Sequence, residues 1–212
     1  MIQDLGLNPW LSIWVRPRQT IRQLIEYNVS HRLILLSFLY GLISMLGNPV
    51  YMQKFPSFPL FVLFCIVLAI PLGYSAFNGV SFLIFISGKL IKGKGTFKQI
   101  RAALYWSYVP FIILGILTPF FWHTMFSGNQ LEGSTPMPQM STSQLVIGLI
   151  NCIILIWGLI VRSKALGEVQ GFSAWKALLN LILYVITALI ILAIVLTPIF
   201  LIWGVPNIPQ FT

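Results

Sequence analysis

The long apolar stretches of this chain contain no Lys, Arg, Asp or Glu, and its thirteen basic residues all fall between those stretches. An uncharged apolar run of about 20 residues crosses a hydrocarbon core of ~30 Å as a helix. Within lipid only helices and closed barrels satisfy their own backbone hydrogen bonds. With 58% hydrophobic and 8% charged residues, against the ~25% charged residues of soluble domains, the chain is expected to be an all-α membrane protein. Its 212 residues leave room for one membrane domain and none for a separate catalytic domain.

The order of the cations adds a topology. Arg16, Arg18, Arg22 and Arg32 precede the first run, and Lys54 alone follows it. Lys89, Lys92, Lys94, Lys98 and Arg101 follow the second run, and Arg162, Lys164 and Lys176 separate the fourth from the fifth. Cytoplasmic loops collect Lys and Arg. The sequence therefore predicts five transmembrane helices, with the N-terminus cytoplasmic and the C-terminus external. All cations but Lys54 then lie inside. The net charge of +9 is spread over three segments beside membrane, so anionic lipid headgroups, not nucleic acid, are the partner it implies.

Residues 1–32 are expected to be a cytoplasmic amphipathic segment, and 33–212 the five-span domain. Trp10, Leu11, Ile13 and Trp14 precede Arg16-Pro17-Arg18, where Pro17 suits the first turn of a helix. Ile21, Leu24 and Ile25 then recur on one face, with Arg18 and Arg22 on the other. Such a helix lies in the headgroup layer or packs on the cytoplasmic ends of the spans, and both can hold at once. The N-terminus is not expected to be a signal peptide. Its first apolar run starts after residue 32, is long enough to span, and has no small-residue cleavage site behind it.

The spans are placed at about 33–52, 57–88, 103–126, 144–161 and 175–203. The second is overlong for one crossing, and GYSAFNG (73–79) offers a place to split it. Splitting would send the basic residues of 89–101 and 162–176 outside, so one span bent near Pro71 is expected instead. Gly148, Asn151 and Gly158 suit close packing of the fourth span. The loop 127–143 is polar, free of basic residues and expected to be mobile. No internal repeat of the transporter kind is present.

Catalytic groups are scarce. The four carboxylates, Asp4, Glu26, Glu132 and Glu168, share no helix face as an acid–base pair would. His31 and His123 fall at opposite membrane faces, and of Met125, Met137 and Met140 near the outer face the last two stand in a loop without His or Cys, so no metal is expected. Cys65 and Cys152 read as small buried apolar residues inside spans. No cofactor is implied and no enzyme is expected. The loop around Gly93 and Gly95 lacks the phosphate-loop spacing, but Lys92, Lys94, Lys98 and Arg101 could bind lipid phosphate. Glu168 is expected to pair with an arginine of the N-terminal segment, and Ser173 to cap the fifth helix. Absence of intramembrane charge argues against a proton-coupled pump. It leaves room for a groove bearing Tyr74, Asn78 and Pro110 on the second and third spans.

Three segments, NPWLSIWVRPRQTIRQLIE (8–26), GKGTFKQIRAALYWSYVPF (93–111) and ALGEVQGFSAWKAL (165–178), give the chain a resemblance to the Yip family. These are the Ypt/Rab-interacting membrane proteins, and the chain is similar to the short bacterial type. The resemblance covers nearly the whole sequence. It implies a helical membrane protein without enzymatic activity, whose eukaryotic relatives act in vesicle traffic with Rab-type GTPases and with one another. A long polar cytosolic extension is missing from the sequence, which argues against a Rab-type GTPase partner. The reading of the whole is a non-enzymatic membrane protein that organises the bilayer or binds partners, itself included, through a cytoplasmic face. That face comprises Arg16, Arg18, Arg22, Lys92, Lys94, Lys98, Arg101 and Glu168. The alternative is a small transporter or lipid-translocating protein using the groove. A bacterial cytoplasmic membrane is the expected location, with the ER or Golgi as the alternative.

Overall fold

A computed structural model describes residues 6–47, 54–112, 115 and 142–203. Most of the third span, the loop that follows it, the last residues of the first span, Asp4, His123, Glu132 and the C-terminal tail lie outside the described residues. Among those described there are seven helices and no strand. In chain order they are α1 (Pro9–Val15), α2 (Pro17–Asn28), α3 (Leu33–Leu46), α4 (Phe58–Leu90), α5 (Phe97–Ser107), α6 (Thr142–Gln170) and α7 (Ala174–Trp203).

Local chemistry sets the boundaries. Asn8 accepts a hydrogen bond from the Trp10 amide at 3.1 Å and so caps α1. Pro9 and Pro17 occupy first helical positions, where a missing N–H costs nothing. Thr96 opens α5 with a capping box in which its side chain and that of Gln99 satisfy each other's backbone amides. The expected Ser173 cap is present at the start of α7, with the Lys176 amide donating to Ser173 Oγ at 3.3 Å.

The segment 57–88 is one helix and not two. α4 is continuous for 33 residues, about 50 Å at 1.5 Å per residue, and Pro71 lies inside it. GYSAFNG is helical throughout. Its Gly73 serves packing: a Cβ there would collide with the Ser37 carbonyl, and one at Gly41 with the Ala69 carbonyl. Ser37 and Gly41 face Ala69 and Gly73, a small-xxx-small pair that lets two backbones approach. Of the glycines expected to pack the fourth span, Gly158 seats the Phe111 ring, whereas Gly148 meets nothing within 4 Å among the described residues. Asn151 turns its amide to its own helix at Ile147.

Three helices, α4, α6 and α7, contain segments long and apolar enough to cross a membrane, and α3 is a shorter apolar helix. Burial is unevenly shared. In α6 and α7 the large side chains of Leu149, Ile153, Ile156, Leu189 and Ile194 are exposed. The larger enclosed core lies at one end, where α1, α2 and α5 meet the last turns of α4 and α6 and the first turns of α7, and a smaller cluster of Met45, Phe61 and Cys65 joins α3 to the start of α4. Ile13, Ile21, Leu24, Ile84, Ile100 and Leu166 are all buried in the larger core, each worth ~1.5–3 kcal/mol relative to exposure. Trp106 sits at its centre, 1% exposed, edge-on to Trp10 at 5.4 Å and stacked on His31 at 6.0 Å. Burial, with the charge of Arg32 beside it, pushes the His31 imidazole below its ordinary range. α2 is thus packed on the end of α6, and α1 lies against α2 and α5.

Candidate functional site

That packed end also gathers the cations, because α2, the 91–96 loop and the α6–α7 turn converge there; Lys54 is left near the far end of α4. Glu168 organises it. It stands one turn from the end of α6 with its side chain 14% exposed. Arg22 Nε donates to Oε1 at 2.8 Å and Arg22 Nη2 approaches the same oxygen at 2.6 Å. Arg18 Nη1 reaches Oε2 at 3.6 Å, and its Nη2 donates to the Phe172 carbonyl at 3.2 Å. Arg18 and Arg22 are four apart on one face of α2, so one carboxylate holds both. The hydrogen bond to Glu168 and that carboxylate's charge push Arg22 above its ordinary range. The pairing expected from the sequence is therefore present.

The basic loop is anchored mainly by its backbone, with Lys89 Nζ donating to the Gly93 carbonyl at 3.2 Å. α4 ends in a Schellman motif, in which the Gly93 amide donates to the Gly88 carbonyl at 2.7 Å and the Lys92 amide to the Lys89 carbonyl at 3.1 Å. Lys92 takes the left-handed position, with φ of 65°. The Lys94 amide then donates to the Gln170 carbonyl at 3.1 Å, tying the loop to the end of α6. Beneath it the buried Gln170 side chain lies against Gly88 and Gly93, where no Cβ would fit. Ser87 Oγ meets Asn180 Oδ1 at 2.7 Å, and Asn180 Nδ2 donates to the Ile84 carbonyl at 3.3 Å. α4 and α7 are thereby joined by buried hydrogen bonds, while the Gln170 side chain of α6 packs against α4 without a hydrogen-bond partner among the described residues.

With this anchoring the lysines of the loop point away from the core. Arg16, Lys92, Lys94 and Lys98 are exposed, and among the described residues the only ion pairs are those of Arg18 and Arg22 with Glu168. Arg101 is placed differently. Its Nη1 donates to Asn78 Oδ1 at 3.2 Å and to the Tyr74 hydroxyl at 3.4 Å. The structure thus joins one residue of the expected headgroup set to two of the expected groove. Pro110 is buried and does not line an open face.

Arg162 was visible in the sequence only as one more loop cation. It lies over the Phe111 ring at 4.7 Å, and its Nε is buried with no hydrogen-bond partner. Only its position at the end of an apolar run signalled such a role, since the partner ring lies 51 residues away in sequence.

The fold and the segments that build this end are those of a helical membrane protein. The Yip1 domain model matches residues 11–196, and the chain belongs to that family. No curated protein and no solved structure matches it.

Proposed function

We propose that the chain is a non-enzymatic scaffold of the bacterial cytoplasmic membrane. It crosses five times with its packed basic end in the cytoplasm, and engages anionic headgroups and partner proteins there. The observation that carries this reading is the division of labour among the cations. Glu168 takes Arg18 and Arg22, while Arg16, Lys92, Lys94 and Lys98 stay exposed on a rigid frame. An interfacial cation is worth ~1 kcal/mol toward an anionic leaflet, so four together favour anionic lipid strongly. The non-enzymatic part rests on the scarcity of acids and bases in the sequence.

The test is lipid composition around the protein extracted in polymer-bounded discs. Wild type should be enriched in anionic phospholipid over the bulk membrane. A variant with Arg16, Lys92, Lys94 and Lys98 all changed to Gln should return to the bulk ratio; unchanged enrichment refutes the reading. A reporter fused after residue 212 should read as external, and a cytoplasmic signal would overturn the five-span count.

A second reading, lipid translocation along α4, is favoured by the Arg101–Asn78–Tyr74 cluster. Tyr74 is exposed beside it, and a Cβ at Gly79 would meet nothing within 4 Å among the described residues. Scrambling of labelled lipid in reconstituted vesicles, abolished by Asn78→Leu, would promote it. A rate equal to protein-free vesicles would remove it.

A further inference from the structure

A groove of about 470 Å³ runs between α6 and α7, well within the range of small-ligand pockets. Its lining changes character along its length. Ile156, Leu159 and Ile160 of α6 and Leu178 of α7 form an apolar floor, and Ser163 and Lys164 form the mouth at the basic end. From Ile156 to Lys164 is eight residues of helix, about 12 Å of rise. Trp175 stands on the rim, 81% exposed, at the level where an indole suits the boundary of hydrocarbon and headgroup.

Lys164 is uncompensated there. Glu168 is one turn further along α6, within reach although in the less favourable order for a helical pair, and that carboxylate is turned to Arg22 and Arg18. Lys176 lies over the Phe172 ring at 4.5 Å. A partly buried lysine with no counter-ion among the described residues, at the end of an apolar slot, asks for an amphiphile with a negative head. A helix from a second copy would bring apolar surface to the whole length and leave the ammonium unanswered.

We propose that this groove is a specific site for one anionic phospholipid, with an acyl chain along Ile156, Ile160 and Leu178 and the headgroup phosphate at Lys164. The proposal rests on the membrane reading above but uses none of the cations that carry it. It assigns a defined lipid stoichiometry to the α6–α7 hairpin.

The experiment reconstitutes the full chain in phosphatidylcholine vesicles containing phospholipid with brominated acyl chains, carrying either a phosphatidylglycerol or a phosphatidylcholine head. Quenching of the Trp175 signal is taken as the difference between wild type and Trp175→Phe. Brominated phosphatidylglycerol should quench at about five-fold lower mole fraction than brominated phosphatidylcholine, the equivalent of one interfacial cation. Lys164→Gln should bring that ratio to about 1 without lowering thermal stability, and Ala174→Leu, which fills the groove, should weaken quenching by both lipids. Equal quenching by the two heads in wild type overturns the proposal. So does a ratio unchanged in Lys164→Gln, or shielding of Trp175 that grows with protein density, the mark of a second copy. The variant with Arg16, Lys92, Lys94 and Lys98 changed to Gln should keep the ratio. If it alone loses it, the groove assignment falls and the basic-face reading stands.

Discussion

At the basic end Trp106, Leu104 and Leu166 are enclosed by protein on every side, while Leu149 and Ile153 on α6 and Leu189 and Ile194 on α7 are open on theirs. Both sets are large and apolar. They differ in what surrounds them. Where water is the neighbour, an apolar side chain gains from burial in protein. Lipid tails are as apolar as leucine, so a lipid-facing residue gains little from a protein partner. The molecule thus has its larger water-excluding core at the basic end, built from short helices and helix ends, and a small cluster of Met45, Phe61 and Cys65 between α3 and the start of α4, while the outer surfaces of its long helices need no protein cover.

The sharpest way to break that comparison is to truncate one side chain of each kind. Trp106→Ala removes a ring that touches Trp10 and His31 and should cost ~3–5 kcal/mol. Ile194→Ala, 66% exposed in α7, should stay within ~0.5 kcal/mol. Denaturant or SDS titration of the purified protein in mild detergent reads both. Equal losses would mean that the apolar half is packed as tightly as the core.

Next comes the contact that fastens α2 to the core from its polar side. Glu168→Gln keeps the shape of the side chain and removes the charge that Arg18 and Arg22 share. Amide exchange over 17–28 should speed up several-fold, with α6 itself little changed. Arg22 is solvent-exposed, so the difference from wild type should shrink in 1 M salt, where the screening length falls to about 3 Å. A difference that persists there would place the interaction in a drier setting than the geometry indicates.

Much of this division was legible in the residues themselves. Periodicity put Ile21 and Leu24 on the inner face of α2, Pro17 marked its start, and the charge count kept 57–88 as a single span. Glu168 stood out as an acid among cations. What stayed hidden depends on pairs of elements. α5 begins at Phe97, ahead of the apolar run at 103, because Thr96 and Gln99 close a cap that hydropathy does not see. Gly73 could equally have marked a turn, and only the approach of Ser37 shows it to be a contact. Gly148 looked like Gly158, yet only one of them meets a ring. A single sequence lists small residues without saying which of them faces a neighbour.

The smallest expected effect separates stability from function at two helix ends. α6 closes as α4 does, with the Phe172 amide donating to the Gly167 carbonyl at 2.7 Å and Gly171 in the left-handed position at φ of 70°. α4 places Lys92 there instead, at φ of 65°. Among the described residues a Cβ at Gly171 would meet only Lys94 Cδ at 3.7 Å, so Gly171→Ala carries backbone strain and should cost ~1 kcal/mol. Lys92→Gly relieves the same strain but loses more chain entropy on folding, ~0.5–1 kcal/mol, leaving a net gain of about 0.5 kcal/mol or less. If Lys92 is kept for its charge, the two readouts must move apart. Lys92→Gly should hold or raise the unfolding midpoint while lowering anionic-lipid enrichment in discs by up to about five-fold. Should enrichment stay constant while stability rises, the strained lysine contributes nothing at the headgroup layer, and the lipid-binding part of the basic face would shrink to Arg16, Lys94 and Lys98.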